Sequence, residues 1–266
     1  MRNKKNQNKN ENGGAMNKSN IILDIDGVLF KENKIKIVRR SAGVVKFIWY
    51  LITHKKNPVK IGYSVFQQMH EQWDKDKKPA LVYKNHPMPE CIAQWMKGLI
   101  SNKALLQQIE KFIESLKKVQ FFASEFETNL VKQAIKVILD EQEISNNIKP
   151  IKPMIQLVEH IKRKDKHNLF IISNYAKHAA EFMIEKHKEF FSIFDDIIIS
   201  ANIGMMKPDA QIYQYFLDKH NVDPNNCVFI DDQEHNIRSA EQLGINGIVH
   251  VDHLKTAEQL KKLHFL

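Results

Sequence analysis

The chain has 266 residues, 43% of them hydrophobic and 27% charged, enough to bury a sizeable core in one large domain or two smaller ones. No apolar run is long enough to cross a membrane as a helix, the polar N-terminus shows no secretory signal, and two cysteines, Cys91 and Cys227, exclude a disulfide framework, so a cytoplasmic protein with reduced thiols is expected. The net charge of +9 comes from lysines scattered among glutamates and asparagines, with arginine at only five positions, and this spread argues against a nucleic-acid partner.

In chain order, residues 1–20 (MRNKKNQNKNENGGAMNKSN) are nearly devoid of apolar side chains and predict a disordered basic tail, with Met16 a candidate alternative start. Residues 21–30 (IILDIDGVLF) predict a buried strand and a turn. Between residues 41 and 145, SAGVVKFIWYLITHK, PVKIGYSVFQQMHEQW, MPECIAQWMKGLI, ALLQQIEKFIESLKKV and SEFETNLVKQAIKVILDEQ carry apolar residues at helical spacing. No strand is expected among them, so 33–149 is read as an all-helical insertion. After Pro150 and Pro153 the pattern alternates. Helical stretches lead into the short strands NLFIIS, DIIIS, CVFID and GIVHV, and TAEQLKKLH closes the chain. Aliphatic strands alternating with helices predict an α/β fold, a parallel Rossmann-like sheet with helices on both faces, built from residues 21–32 and 150–266.

Ligands of such sheets bind beyond the carboxyl ends of the strands. The expected strands end in Asp24 and Asp26, in Ser173 and Asn174, in a loop leading to Lys207, and in Asp231 and Asp232. Taken singly these are weak signals. Asp-Gly is an ordinary turn pair, Ser and Asn cap helices, Lys-Pro starts helices, and an Asp pair can cap the next helix. An EF-hand is excluded, because position twelve of the loop would be Ile35. Together, and in this order at strand ends, they suit one chemistry. Converging carboxylates repel unless a hard cation, most simply Mg²⁺, neutralises them. The ammonium, hydroxyl and amide suit a phosphoryl group. One carboxylate can serve as nucleophile and another as acid and base.

The motifs DIDGVLF, IISN, GMMKPDAQIY and VFIDDQEHN resemble, in this order, the four motifs of the haloacid dehalogenase (HAD) superfamily of aspartate-nucleophile phosphohydrolases. The likeness covers residues 21–32 and about 150–252 and is similar to the subgroup with a helical cap inserted after the first motif. The resemblance implies Asp24 as nucleophile, Asp26 as acid and base with its backbone carbonyl on the metal, Ser173 and the Asn174 backbone at the phosphoryl group, and Lys207 neutralising Asp24 and the phosphoryl group. It implies Mg²⁺ on Asp24, Asp26 and Asp232, with Asp231 as a ligand or close behind. Dehalogenases of the superfamily lack an acid at the position of Asp26, which favours phosphoryl transfer. Asn236 stands where many relatives carry a further aspartate. The expected activity is hydrolysis of a small phosphorylated metabolite; the alternatives are a phosphomutase acting on a sugar phosphate and a non-catalytic HAD-like binding protein. The cap would close over the crevice. Trp49, Tyr50, Tyr63, Trp73 and Trp95 are candidates for its pocket or for packing between its helices, and Arg39 and Arg40 sit near the hinge.

Overall fold

The structure, a computed structural model, describes residues 18–32, 49–50, 52–77, 79, 81–83 and 86–266. Most of the expected tail, most of the first expected insert helix, and Arg39 and Arg40 lie outside the described residues.

Five strands form one parallel sheet: β1 (Ser19–Leu23), β6 (His167–Ser173), β7 (Asp196–Ile199), β8 (Cys227–Asp231) and β9 (Asn246–Val249), in the order β7-β6-β1-β8-β9. β1 begins two residues inside the stretch expected to be tail, because Ser19 and Asn20 pair with His167 and Asn168. The strands are apolar on both faces, and alternate residues serve opposite layers. Ile21, Leu23, Leu169, Ile171, Val228 and Ile230 enter one core, with Met154, Val158 and Ile161 of α6 (Lys152–Lys164) and Leu260 of α12 (His253–Lys262). Ile22, Phe170, Ile172 and Phe229 enter the other, with Ile212 and Phe216 of α10 (Ala210–His220) and Ile237 of α11 (Glu234–Glu241). The chain leaves the sheet after β1, returns on one side as β6, and later crosses to the other side as β8. The end of β1 is therefore the point where strand order reverses, the usual place for a ligand crevice in such sheets.

Between β1 and β6 the described residues form helices α1 (Pro58–Trp73), α2 (Glu90–Met96), α3 (Asn102–Lys118), α4 (Glu125–Ile138) and α5 (Glu141–Asn146). Asn57, Ser101, Ser124 and Asp140 cap α1, α3, α4 and α5, each accepting from a backbone N–H of the first turn. The Asp140 cap splits the helix expected over 124–142 in two. Contrary to expectation, the insert holds a small hairpin, β3 (Val82–Tyr83) with β4 (His86–Pro87); runs this short carry no periodicity. The expected helix over 176–191 breaks at His187 into α7 (Lys177–Lys186) and α8 (Lys188–Phe191). Ser200, expected to end a strand, opens the short helix α9 (Ser200–Ile203).

β2 (Phe30–Glu32) carries the chain out of the core and β5 (Ile148–Pro150) brings it back; the two pair antiparallel as a ribbon. Ser200 ties the insert to the core from a second direction. Its Oγ donates to Met96 O at 2.6 Å and accepts from Tyr175 N at 3.0 Å. Next to this contact Gly98, at φ +71°, runs so close to Ala201 that a Cβ would overlap the Ala201 carbonyl.

Candidate active site

The end of β1 shows how the chain presents its first acid. Asp24 N donates to Ile230 O at 2.9 Å, extending the ladder by one residue. The backbone then folds on itself: Leu29 N and Phe30 N both donate to Ile25 O, and Gly27 N donates to Phe30 O. Gly27 takes φ +84°, which glycine adopts at little cost. A Cβ there would lie 2.5 Å from the Asp232 carboxylate. Glycine at this position thus lets the acid after β8 pack against the turn after β1.

Around Asp24 the other strand ends converge. Ser173 Oγ donates to Asp24 Oδ1 at 2.7 Å. Lys207 Nζ lies 2.8 Å from that oxygen and 2.6 Å from Asp231 Oδ2, and 5.2 Å from the centroid of the Phe229 ring. Lys207 is 1% exposed. The Lys207–Pro208 peptide is cis. Asn174 holds the Lys207 backbone at both polar atoms: its Nδ2 donates to Lys207 O and its Oδ1 accepts from Lys207 N, each at 2.8 Å. Oxygen atoms of Asp24, Asp231 and Asp232 lie within 4.8 Å of one another.

Electrostatics follow from this burial. Desolvation pushes the Asp24 carboxyl up to about 6; Lys207 pulls it back and Asp231 adds to the rise. Burial raises Asp232 too, with Asp231 next in effect. Burial alone would lower Lys207, but Asp231 and Asp24 together outweigh it and hold the ammonium above its ordinary value. Three carboxylates face one buried ammonium here, which leaves an excess of negative charge among hard oxygen donors. That donor set suits Mg²⁺.

The expected site residues divide into roles. Asp231 is fully buried and already saturated: it accepts from Lys207, from Gln233 N at 2.7 Å and from Asn236 Nδ2 at 3.1 and 3.0 Å. Asp232 sits at the mouth, its Oδ2 accepting from Gln233 Nε2 at 2.9 Å. Ser173 turns its hydroxyl to Asp24, and the Asn174 side chain is used in holding Lys207. Asp26 is part-exposed, and its carboxylate is not one of the three clustered acids. It borders a cavity of about 470 Å³ between insert and core, as does Asn174. Of the aromatic candidates, Tyr63 and Trp95 line that cavity. Trp49 and Trp73 are about half exposed. Tyr50 is buried and donates to Glu127 Oε1 at 2.7 Å, a packing role. Sequence reasoning treated Asn236 only as a departure from a pattern; five residues after Asp231, on the first turns of α11, it orients that acid. It also missed Ser200, whose bridge joins elements about 100 residues apart.

The profile of the haloacid dehalogenase-like hydrolases matches residues 19–244. The chain belongs to that family. Among curated proteins, bifunctional epoxide hydrolase 2 of Rattus norvegicus is 29% identical over 114 residues, 42% of this chain and 21% of that protein. A sesquiterpene phosphatase of Aspergillus oryzae is 34% identical over 79 residues, 30% of this chain and 40% of that protein. The chain thus spans about a fifth of the first relative and two fifths of the second. A HAD family enzyme of Bacteroides thetaiotaomicron shares the fold, with a TM-score of 0.52 at 17% identity over 88% of this chain and 93% of its own. A variant of that enzyme, in complex with magnesium and inorganic phosphate, gives 0.50 at 16% over 88% and 94%. No helix among the described residues is long and apolar enough to cross a membrane.

Proposed function

We propose that this HAD-family hydrolase is a Mg²⁺-dependent phosphomonoesterase that works through an aspartyl-phosphate on Asp24. The observation that carries this reading is the placement of Asp24, with Ser173 and Lys207 both on its Oδ1, beside Asp231 and Asp232. The contacts on Oδ1 hold the carboxylate still, so that its other oxygen can attack phosphorus. Asp24, Asp232 and the Asp26 carbonyl would hold the ion, with Asp231 orienting from behind. When bound, the ion supplies positive charge against the phosphoryl oxygens.

The proton follows Asp26. As the Asp24–phosphorus bond forms and the ester P–O bond breaks, the leaving alkoxide takes the proton of the Asp26 carboxyl. The alcohol departs. Asp26, now a carboxylate, takes a proton from water, whose oxygen attacks phosphorus and frees Asp24 with release of inorganic phosphate. Lys207 stays charged throughout, set between two carboxylates that hold its proton. The helical insert lies over this crevice and limits access of bulk water. The sesquiterpene phosphatase relative and the magnesium–phosphate complex of the structural neighbour support the same reading.

The test is phosphate release from 4-nitrophenyl phosphate. Chelation with EDTA should stop turnover and Mg²⁺ restore it. Asp24→Asn should lower turnover by at least about 10⁴-fold with the fold intact by circular dichroism. Near wild-type turnover in that variant, or full activity in chelator, would sink the proposal.

A further inference from the structure

The cavity beside Asp26 is lined mostly by apolar side chains. Its walls come from α1, α2, the α4–α5 junction and α7, through side chains such as Phe66, Trp95, Ile138, Ile144 and Ala179. No lysine, arginine or histidine lines it among the described residues. A volume of about 470 Å³ falls within the range that holds a small organic ligand. Asp26 and Asn174 link this lining to the acidic cluster: Asp26 lies two residues after Asp24, and the Asn174 side chain holds the backbone of Lys207. A phosphoryl group at Asp24 would therefore direct its ester oxygen past Asp26 and its remaining carbon skeleton into the apolar chamber.

A sugar or nucleotide would bury hydroxyls and charges there with few partners, at a cost that apolar atoms avoid. We infer that the substrate is the phosphate monoester of a long-chain aliphatic alcohol, its apolar part held between Tyr63, Trp95 and Ala179. This inference rests on the phosphomonoesterase reading.

The experiment measures kcat/KM of the full chain with Mg²⁺ on 4-nitrophenyl phosphate, glucose 6-phosphate and 1-alkyl phosphates from ethyl to decyl, below their micellar concentrations. Along the alkyl series kcat/KM should rise up to about fourfold per methylene, the factor that corresponds to about 0.8 kcal/mol per buried CH₂, until the cavity is full. Glucose 6-phosphate should do no better than ethyl phosphate. Ala179→Leu, which fills the chamber, should cut the decyl-to-ethyl ratio at least about tenfold. Turnover of the aryl ester with a flat or falling alkyl series, or with glucose 6-phosphate preferred, overturns this inference and leaves the phosphatase reading standing. A folded Ala179→Leu variant with the wild-type ratio overturns it as well. No turnover of any ester overturns the phosphatase reading and this inference with it.

Discussion

The ammonium of Lys207 lies 2.6 Å from Asp231 Oδ2, and neither side chain reaches solvent. Asp231 thereby becomes an anchor for the cation rather than an open ligand. Lys207 is in turn delivered to Asp24 from a fixed point, since Asn174 holds its backbone and Phe229 lies beneath it.

Breaking that anchor leaves charge buried without a partner. Lys207→Met should lower stability by about 3–5 kcal/mol. For a chain of this size that is a fall in Tm on the order of 10 °C. Turnover should drop by about 10²–10³-fold, the usual loss when one preorganised cationic contact goes. Asn236→Ala should show the same pattern more mildly, about 1–3 kcal/mol, because Asp231 loses one of its donors. Calorimetry and aryl-phosphate kinetics on both variants check the order; an Asn236→Ala variant costlier than Lys207→Met would contradict it.

Asp26 is assigned to the leaving group, and the leaving group can test it. Asp26→Asn should lower hydrolysis of alkyl phosphates by about 10²–10⁴-fold, since an alkoxide must be protonated. The 4-nitrophenyl ester, whose oxide leaves unprotonated, should lose much less in its first step. Equal losses on both esters in kcat/KM, which reads the steps up to departure of the alcohol, would remove the acid role from Asp26.

The turn after β1 depends on Gly27. Gly27→Val would place a branched side chain at φ +84° and against the Asp232 carboxylate. The backbone alone should cost about 1–2 kcal/mol. Displacement of Asp232 should weaken Mg²⁺ binding by about 10–100-fold, the range seen when a supporting contact of a metal ligand is lost. Titration calorimetry with MgCl₂ reads this directly, and unchanged affinity would separate Asp232 from the ion.

Stability should also depend on pH through buried histidine. His250 is buried, its Nδ1 2.8 Å from Thr256 Oγ1, and burial lowers its affinity for a proton; Asp252 pulls the other way and His253 adds to the fall. Burial likewise lowers His167 and His187. The folded chain therefore binds these protons less readily than the unfolded chain. Stability should be level above the ordinary histidine value of 6.5 and decline as pH drops through the lowered folded values. Thermal melts from pH 8 to pH 5 check the direction, and His250→Gln should flatten the decline.

Much of the fold can be read without coordinates. The strands around Ile21, Phe170, Ile198, Val228 and Ile248 stand out because each is a short aliphatic run closed by a turn or cap, and helices α1 and α3 agree with their periodicity to within two residues. The acids after β1 and β8 were visible for the same local reason: a polar pair at the end of an apolar run has no packing role. Breaks at Asp140 and His187 were harder, since amphipathic spacing continues across them and only a cap or a change of backbone angle ends the helix. The β3–β4 hairpin is too short to have a period at all.

Sequence alone determined the alternation of strands and helices and marked the acids at the ends of β1 and β8, because these depend on neighbours along the chain. Tertiary structure decided that Lys207 lies between Asp24 and Asp231, that Asn236 holds the latter, that Trp49 and Trp73 face outward while Trp95 faces a chamber, and that this chamber opens beside Asp26. Those outcomes depend on which strands flank β1 and on how helices from distant segments meet. Ser173 meets Asp24 across 149 positions of chain and Lys207 meets Asp231 across 24, separations at which no local period or motif records a contact.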